Sequence, residues 1–136
     1  MSLEDILKVA ESLGFNREEV GRKIQKKYAT CIRKGNLDEL RSLQKITGIK
    51  PGLPKDLVQK KYAAYIRKRQ LSYLSCLQDL TGIKPSKDIV QKGYADYVKK
   101  GQLNDFSNLQ EITRIEPSKD VYRAFIYKTF IDILSK

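Results

Sequence analysis

The chain has 136 residues, no histidine and a formal net charge of +11, so the commonest general base and the commonest metal ligand are both missing. That length suits one domain with a continuous core. The apolar runs are only a few residues long, too short to span a membrane, and the acidic start Met1-Ser2-Leu3-Glu4-Asp5 lacks the basic and apolar regions of a secretory signal.

Taken in chain order, residues 1–15 carry apolar positions at Leu3, Ile6 and Val9, then Gly14-Phe15. The same pattern returns 34 residues later as Leu37, Leu40, Leu43 and Gly48-Ile49. The first segment therefore reads as the second half of a repeat. Residues 16–51 form the first full repeat. Asn16 and Glu19 open it as a capping box, and Ile24, Tyr28, Cys31 and Ile32 follow the i, i+4, i+7, i+8 spacing of one helix face. We term this helix A. Leu37, Leu40, Leu43 and Ile46 mark a shorter helix B.

Residues 52–85 repeat the pattern with Val58, Tyr62, Tyr65 and Ile66, then Leu71, Leu74, Leu77 and Leu80. Residues 86–117 do so again with Val90, Tyr94, Tyr97 and Val98, then Leu103, Phe106, Leu109 and Ile112. Residues 118–136 supply a terminal A helix. Gly35 and Gly101 sit at the A-to-B turn, where positive φ favours glycine, and Arg69 fills the middle copy. Gly48 and Gly82 end two B helices, and Arg114 takes the third place, as a strained cap or one built differently. Pro51, Pro85 and Pro117 block continuation, and Ser86 and Ser118 are placed as N-caps. Gly93 falls within a helix, at a cost of about 1 kcal/mol relative to alanine. With Arg114 it makes the third repeat the expected least regular one. Self-similarity at this period predicts an all-α, right-handed α-solenoid of stacked helix-turn-helix repeats filling residues 1–136 as a single domain.

Charge is concentrated in one helical layer. The A segments (17–34, 54–69, 86–100 and 118–136) hold 21 of the 27 Lys and Arg residues but only 7 of the 16 Asp and Glu residues. At 100° per residue, Lys26 and Arg33 lie opposite the apolar face, as do Lys60 and Arg67, then Lys92 and Lys99. Lys34, Lys68 and Lys100 flank them. Stacking would place these side chains in basic rows suited to a polyphosphate backbone. The same lysines would also serve a solvated helix face or an acidic protein partner. Tyr28, Tyr62 and Tyr94 could stack bases, but their register assigns them to the core with the hydroxyl at its edge. Gln25, Gln59 and Gln91 lie beside the core stripe, placed to bond between repeats. Cys31 and Cys76 follow no paired spacing and read as reduced thiols and small apolar fillers.

Gly48-Ile49-Lys50-Pro51 and Lys99-Lys100-Gly101-Gln102-Leu103 resemble the interhelix segments of pentatricopeptide repeats. That resemblance covers roughly residues 20–125. It implies αα hairpins stacked into a superhelix that binds single-stranded RNA, one base per repeat. The B helix here is about one turn shorter than that family's, so base-reading positions do not transfer. Leu13-Gly14-Phe15 with Glu18-Glu19-Val20 is similar to mitochondrial transcription-terminator repeats. Gly35-x-Leu37-x-x-Leu40-x-x-Leu43 is similar to the turn and second helix of ankyrin repeats, without their "TPLH" opening. Ankyrin and tetratricopeptide repeats bind proteins.

The expected function is a non-enzymatic binding module, with nucleic acid as partner and RNA favoured over DNA, cytoplasmic or nuclear and without a cofactor. No nucleophile–base pair, Gly-rich phosphate loop or metal-ligand cluster supports catalysis. The alternative is a protein-interaction scaffold, or a fragment of a longer solenoid. Tyr122, Phe125, Ile126, Phe130, Ile133 and Leu134 give the terminal helix apolar side chains on more than one face. Capping repeats are polar outside, so this helix is a candidate surface for a homodimer or for further repeats.

Overall fold

The computed structural model describes residues 3–14 and 16–134. These form eight α-helices and no strand: α1 (Leu3–Ser12), α2 (Arg17–Lys34), α3 (Leu37–Thr47), α4 (Lys55–Arg67), α5 (Leu71–Thr81), α6 (Lys87–Lys99), α7 (Leu103–Thr113) and α8 (Lys119–Leu134). Even-numbered helices are the A elements of the repeat and odd-numbered ones the B elements. The helices divide between two compact units, one holding residues up to 61 with 79–83 and the other 62–78 with those from 84 on. Within the first, α2 packs against α1 and α3; within the second, α6 packs against α7 and α8.

The A-to-B turns are alike in all three full repeats. Gly35, Arg69 and Gly101 adopt φ of 70°, 62° and 72°. The following N–H reaches back to the helix in each: Asn36 to Cys31 O at 2.8 Å, Gln70 to Tyr65 O at 2.8 Å and Gln102 to Tyr97 O at 2.7 Å. This is the Schellman pattern, which satisfies carbonyls that a helix end leaves without partners. Arg69 tolerates the left-handed conformation while its guanidinium pairs with Asp105 at 2.5 Å.

The B-helix ends are equally regular. Gly48 and Arg114 donate to Gln44 O and Gln110 O, each at 2.8 Å, and Arg114 keeps this cap at φ 56°. The third repeat thus retains the common turn despite its side chain, because the surrounding contacts outweigh one strained residue. Left-handed backbone costs a residue with a Cβ roughly 1–2 kcal/mol, and glycine returns about 0.4–1 kcal/mol of that through the freer unfolded chain. Arg114→Gly is therefore expected to stabilise the protein by about 0.5–1 kcal/mol. Urea denaturation of the two proteins measures this, and a destabilised variant would show that the arginine side chain earns its place.

The helical periodicity of the A elements matches the observed burial. Tyr28, Ile32, Val58, Tyr62, Val90 and Tyr94 have no exposed surface. Along the B helices the expected face needs one correction, since Ile46 is 60% exposed. Apolar residues spaced strictly by three drift round a helix of 3.6 residues per turn. Ile46, nine residues after Leu37, therefore lies on the opposite side. Thr47 is buried in its place. In the N-terminal half repeat, Phe15 and the side chains of Leu3 and Ile6 lie outside the described residues, and Val9 is 49% exposed.

Two polar latches tie α2 and α6 to the loops that follow α3 and α7. The Tyr28 hydroxyl lies 3.0 Å from Thr47 Oγ1 and donates to Ile49 O at 2.5 Å. Tyr94 repeats this with Thr113 Oγ1 at 3.4 Å and Ile115 O at 2.6 Å. Gln25 donates to Lys50 O at 3.1 Å and accepts from Gly52 N at 2.7 Å. Gln91 does the same with Glu116 O at 2.6 Å and Ser118 N at 2.9 Å. A buried hydroxyl or amide left without such partners costs about 1–3 kcal/mol, so these bonds fix the register of the connecting loop.

Burial pushes three phenols upward: Tyr65 to about 12, and Tyr94 and Tyr97 in the same direction. Tyr97 also donates its O–H to Ile66 O, a bond that a phenolate cannot make. A raised folded-state pKa contributes stability that is complete below the ordinary tyrosine value near 10 and is lost as pH rises through the folded value. The protein is expected to lose stability from about pH 10 upward, by at most about 1.4 kcal/mol per pH unit for each tyrosine. Urea midpoints followed by circular dichroism between neutral pH and pH ~12 test this, and a flat profile contradicts it.

Candidate functional site

The nine cations singled out in the sequence are all exposed. Lys26, Arg33, Lys34 and Lys60 lie in the first unit, and Arg67, Lys68, Lys92, Lys99 and Lys100 in the second. Their placement follows from helix geometry, because the opposite faces of α2, α4 and α6 carry the buried tyrosines and aliphatic residues. Tyr28, Tyr62 and Tyr94 are thus core residues, the Tyr28 and Tyr94 hydroxyls engaged in the latches, not stacking platforms.

Ion pairing separates these cations from Lys27, Lys23 and Arg69. Lys27 meets Glu39 at 3.0 Å, and that carboxylate, through its hydrogen bond and its charge, raises the lysine pKa. Lys23 lies 3.9 Å from Glu19, and Arg69 is held by Asp105. None of the nine side chains has a carboxylate partner among the described residues. Their charge is therefore available to an external anion rather than consumed within the fold.

Sequence reasoning missed how neighbouring A helices are joined. Lys61 Nζ donates to Arg33 O at 3.3 Å in the first unit, and Lys128 Nζ to Lys99 O at 3.4 Å in the second. Each reaches a carbonyl near a helix C-terminus, where the macrodipole favours a cation. Between α4 and α6 the corresponding bond comes from Tyr97, which donates to Ile66 O. The Thr47, Thr81 and Thr113 hydroxyls were also missed, although a threonine precedes Gly48, Gly82 and Arg114 alike. Each hydroxyl accepts the N–H two residues on, at 3.2–3.3 Å.

In each unit a hollow is lined in part by these cations. One of about 450 Å³ in the first unit is edged by Arg22 and Lys26 and floored by Ala29, Leu53 and Pro54. The other, about 300 Å³, lies wholly in the second unit and is lined by Arg67, Lys92 and Lys100 with Asp96, and by Ile66, Ile89 and Gly93. Ala63, Tyr97 and Gln102 complete its wall.

At the far end, α8 exposes Tyr122, Ile126, Phe130, Ile133 and Leu134. Phe125 turns inward instead, its ring stacked on Phe106 with centroids 4.2 Å apart. Among the described residues no helix is long and apolar enough to cross a membrane, and no group of three or more His, Cys, Asp or Glu residues is arranged to hold a metal ion. Comparisons with protein-family models, curated proteins and solved structures find no match to this chain.

Proposed function

We propose that this chain is a non-enzymatic helical-repeat module that binds single-stranded RNA through the basic face of its A helices. The observation that carries this reading is the set of nine exposed cations without carboxylate partners among the described residues, beside lysines and an arginine that do have them. The recurring left-handed turns and the tyrosine and glutamine latches support a right-handed solenoid of stacked hairpins as the scaffold. RNA is preferred over DNA on the strength of the pentatricopeptide-like "GIKP" junctions. In this reading the cations neutralise phosphates, and binding is driven largely by counterion release.

The test is fluorescence anisotropy of a labelled mixed-sequence single-stranded RNA and its DNA counterpart across a salt series. Each neutralised phosphate contributes roughly 0.7 to the log–log salt slope for a single strand. A Lys26→Glu/Lys60→Glu/Lys92→Glu variant, with helix content checked by circular dichroism, is expected to flatten that slope by about 2. It should also bind at least ~100-fold more weakly at low salt. Identical, negligible binding by both proteins sinks the proposal.

The exposed apolar residues of α8 favour a second reading, a protein-interaction scaffold or homodimer. Self-association abolished by Ile126→Glu/Phe130→Glu, with no RNA affinity in either form, would support it.

A further inference from the structure

We infer that the 300 Å³ cavity of the second unit is a seat for a phosphomonoester, filled in use by the terminal phosphate of a bound RNA strand. The inference rests on the RNA-binding reading for the strand, and on the cavity alone for the phosphate.

The cavity is tied to a break in the repeat. Gly93 stands where the preceding repeat has Lys61, and Lys61 spans to the neighbouring A helix. At position 93 no side chain crosses. A Cβ there would lie 2.5 Å from Ile66 Cγ2 and 3.2 Å from Leu109 Cδ2. The missing side chain lets α4 and α6 meet at the level of Ile66, and the space beside it stays open. Asp96 stands where the terminal helix has Lys128, so the other bridging lysine is absent as well. Arg67, Lys92 and Lys100 are left around a space that no lysine occupies.

The charges leave the seat net positive, by about one unit. Three cations face one carboxylate, Asp96, and two helix C-termini worth about half a negative charge each. A phosphomonoester carries about −1.5 to −2 at neutral pH, whereas an internal phosphodiester carries a single charge. A net positive seat attracts the more highly charged strand end more strongly than an internal phosphate, while the other exposed lysines serve internal phosphates indifferently. Charge-assisted bonds from a guanidinium are the stronger kind, and Arg67 supplies the fork that fits phosphate.

Gln102 adds a neutral donor. It occupies the N-cap position of α7 but makes no side-chain capping bond, whereas Asn36 at the matching place caps α3. Gln102 is instead one of the residues that line the cavity. A volume of about 300 Å³ lies at the lower end for small-ligand sites. It admits one nucleotide-sized group and excludes a run of strand. The aliphatic floor of Ile66 and Ile89 suits the sugar or base of that nucleotide.

The experiment uses one RNA sequence with a phosphate at the 5′ end, at the 3′ end, or at neither. Binding is measured by anisotropy to the wild type, to Arg67→Gln/Lys92→Gln/Lys100→Gln, and to Lys26→Gln/Arg33→Gln/Lys60→Gln as a control. The wild type is expected to prefer one phosphorylated end about tenfold. That ratio should fall to about one in the cavity variant and persist in the control, although both variants bind all three RNAs more weakly. Equal binding of the three RNAs by the wild type overturns the terminal-phosphate inference and leaves the RNA reading standing. Where no RNA binds at all, the RNA reading fails. Titration with uridine monophosphate and with inorganic phosphate, followed on the Gly93 and Gln102 amide resonances, then decides the seat. Shifts show a phosphomonoester site for a free small molecule, and their absence overturns the seat itself.

Discussion

Phe106→Ala is expected to destabilise the protein by about 3–5 kcal/mol, the usual cost of removing a buried aromatic ring. Phe106 has no exposed surface. Its ring stacks on Phe125 at 4.2 Å and 10° and tilts against Tyr94 at 4.8 Å and 46°, so one truncation empties the point where α6, α7 and α8 meet. Aromatic pairs add roughly 0.5–1.5 kcal/mol each beyond burial, and the void cannot be refilled by the two remaining rings, which are anchored on different helices. The midpoint of thermal unfolding should fall by roughly 10–20 °C. Phe130→Ala is the control. That ring is 60% exposed, and its loss should change stability by less than about 0.5 kcal/mol. Similar effects at the two positions would contradict the packing described.

Gly93→Ala should also destabilise, against helix propensity. Within a helix, alanine is better than glycine by about 1 kcal/mol, and on sequence grounds the change looks favourable. The new Cβ, however, would stand 2.5 Å from Ile66 Cγ2. That methyl is one bond from the Ile66 Cβ, on a β-branched side chain that has essentially one rotamer in a helix. It cannot swing aside without moving α4. Overpacking of this kind costs about 1–3 kcal/mol, which outweighs the propensity gain. A net loss of about 1–2 kcal/mol in urea denaturation is the expected result, and a stabilised variant would falsify the close approach of α4 and α6.

Helices, turns and core tyrosines were legible in the sequence because each depends on spacing along one chain segment. The 3.6-residue period places Tyr28, Tyr62 and Tyr94 inside and Lys26, Lys60 and Lys92 outside whatever lies next to the helix. Gly35 and Gly101 announce left-handed turns for a local steric reason. Even Arg69 follows, because its neighbours occupy the same places as those of the two glycines.

Gly93 marks where that reasoning stopped. Local propensity assigns it a defect, whereas the structure makes it the contact that brings Ile66 and Leu109 against α6. Arg114 is similar, since the sequence left two kinds of cap open and the backbone adopts the glycine-like one. The threonine latch was missed although its residue recurs, because a hydroxyl near a helix end has several local partners and only the folded loop selects one.

By itself, then, the sequence determined the all-helical class, the left-handed turns between helices, the inward tyrosines and the outward cations, all consequences of short-range periodicity and sterics. Only the tertiary structure decided which cations lack a carboxylate partner, which three of them line one cavity, and why a glycine must stand where two helices meet. Those outcomes depend on distances between residues remote in sequence, and no periodicity encodes such distances.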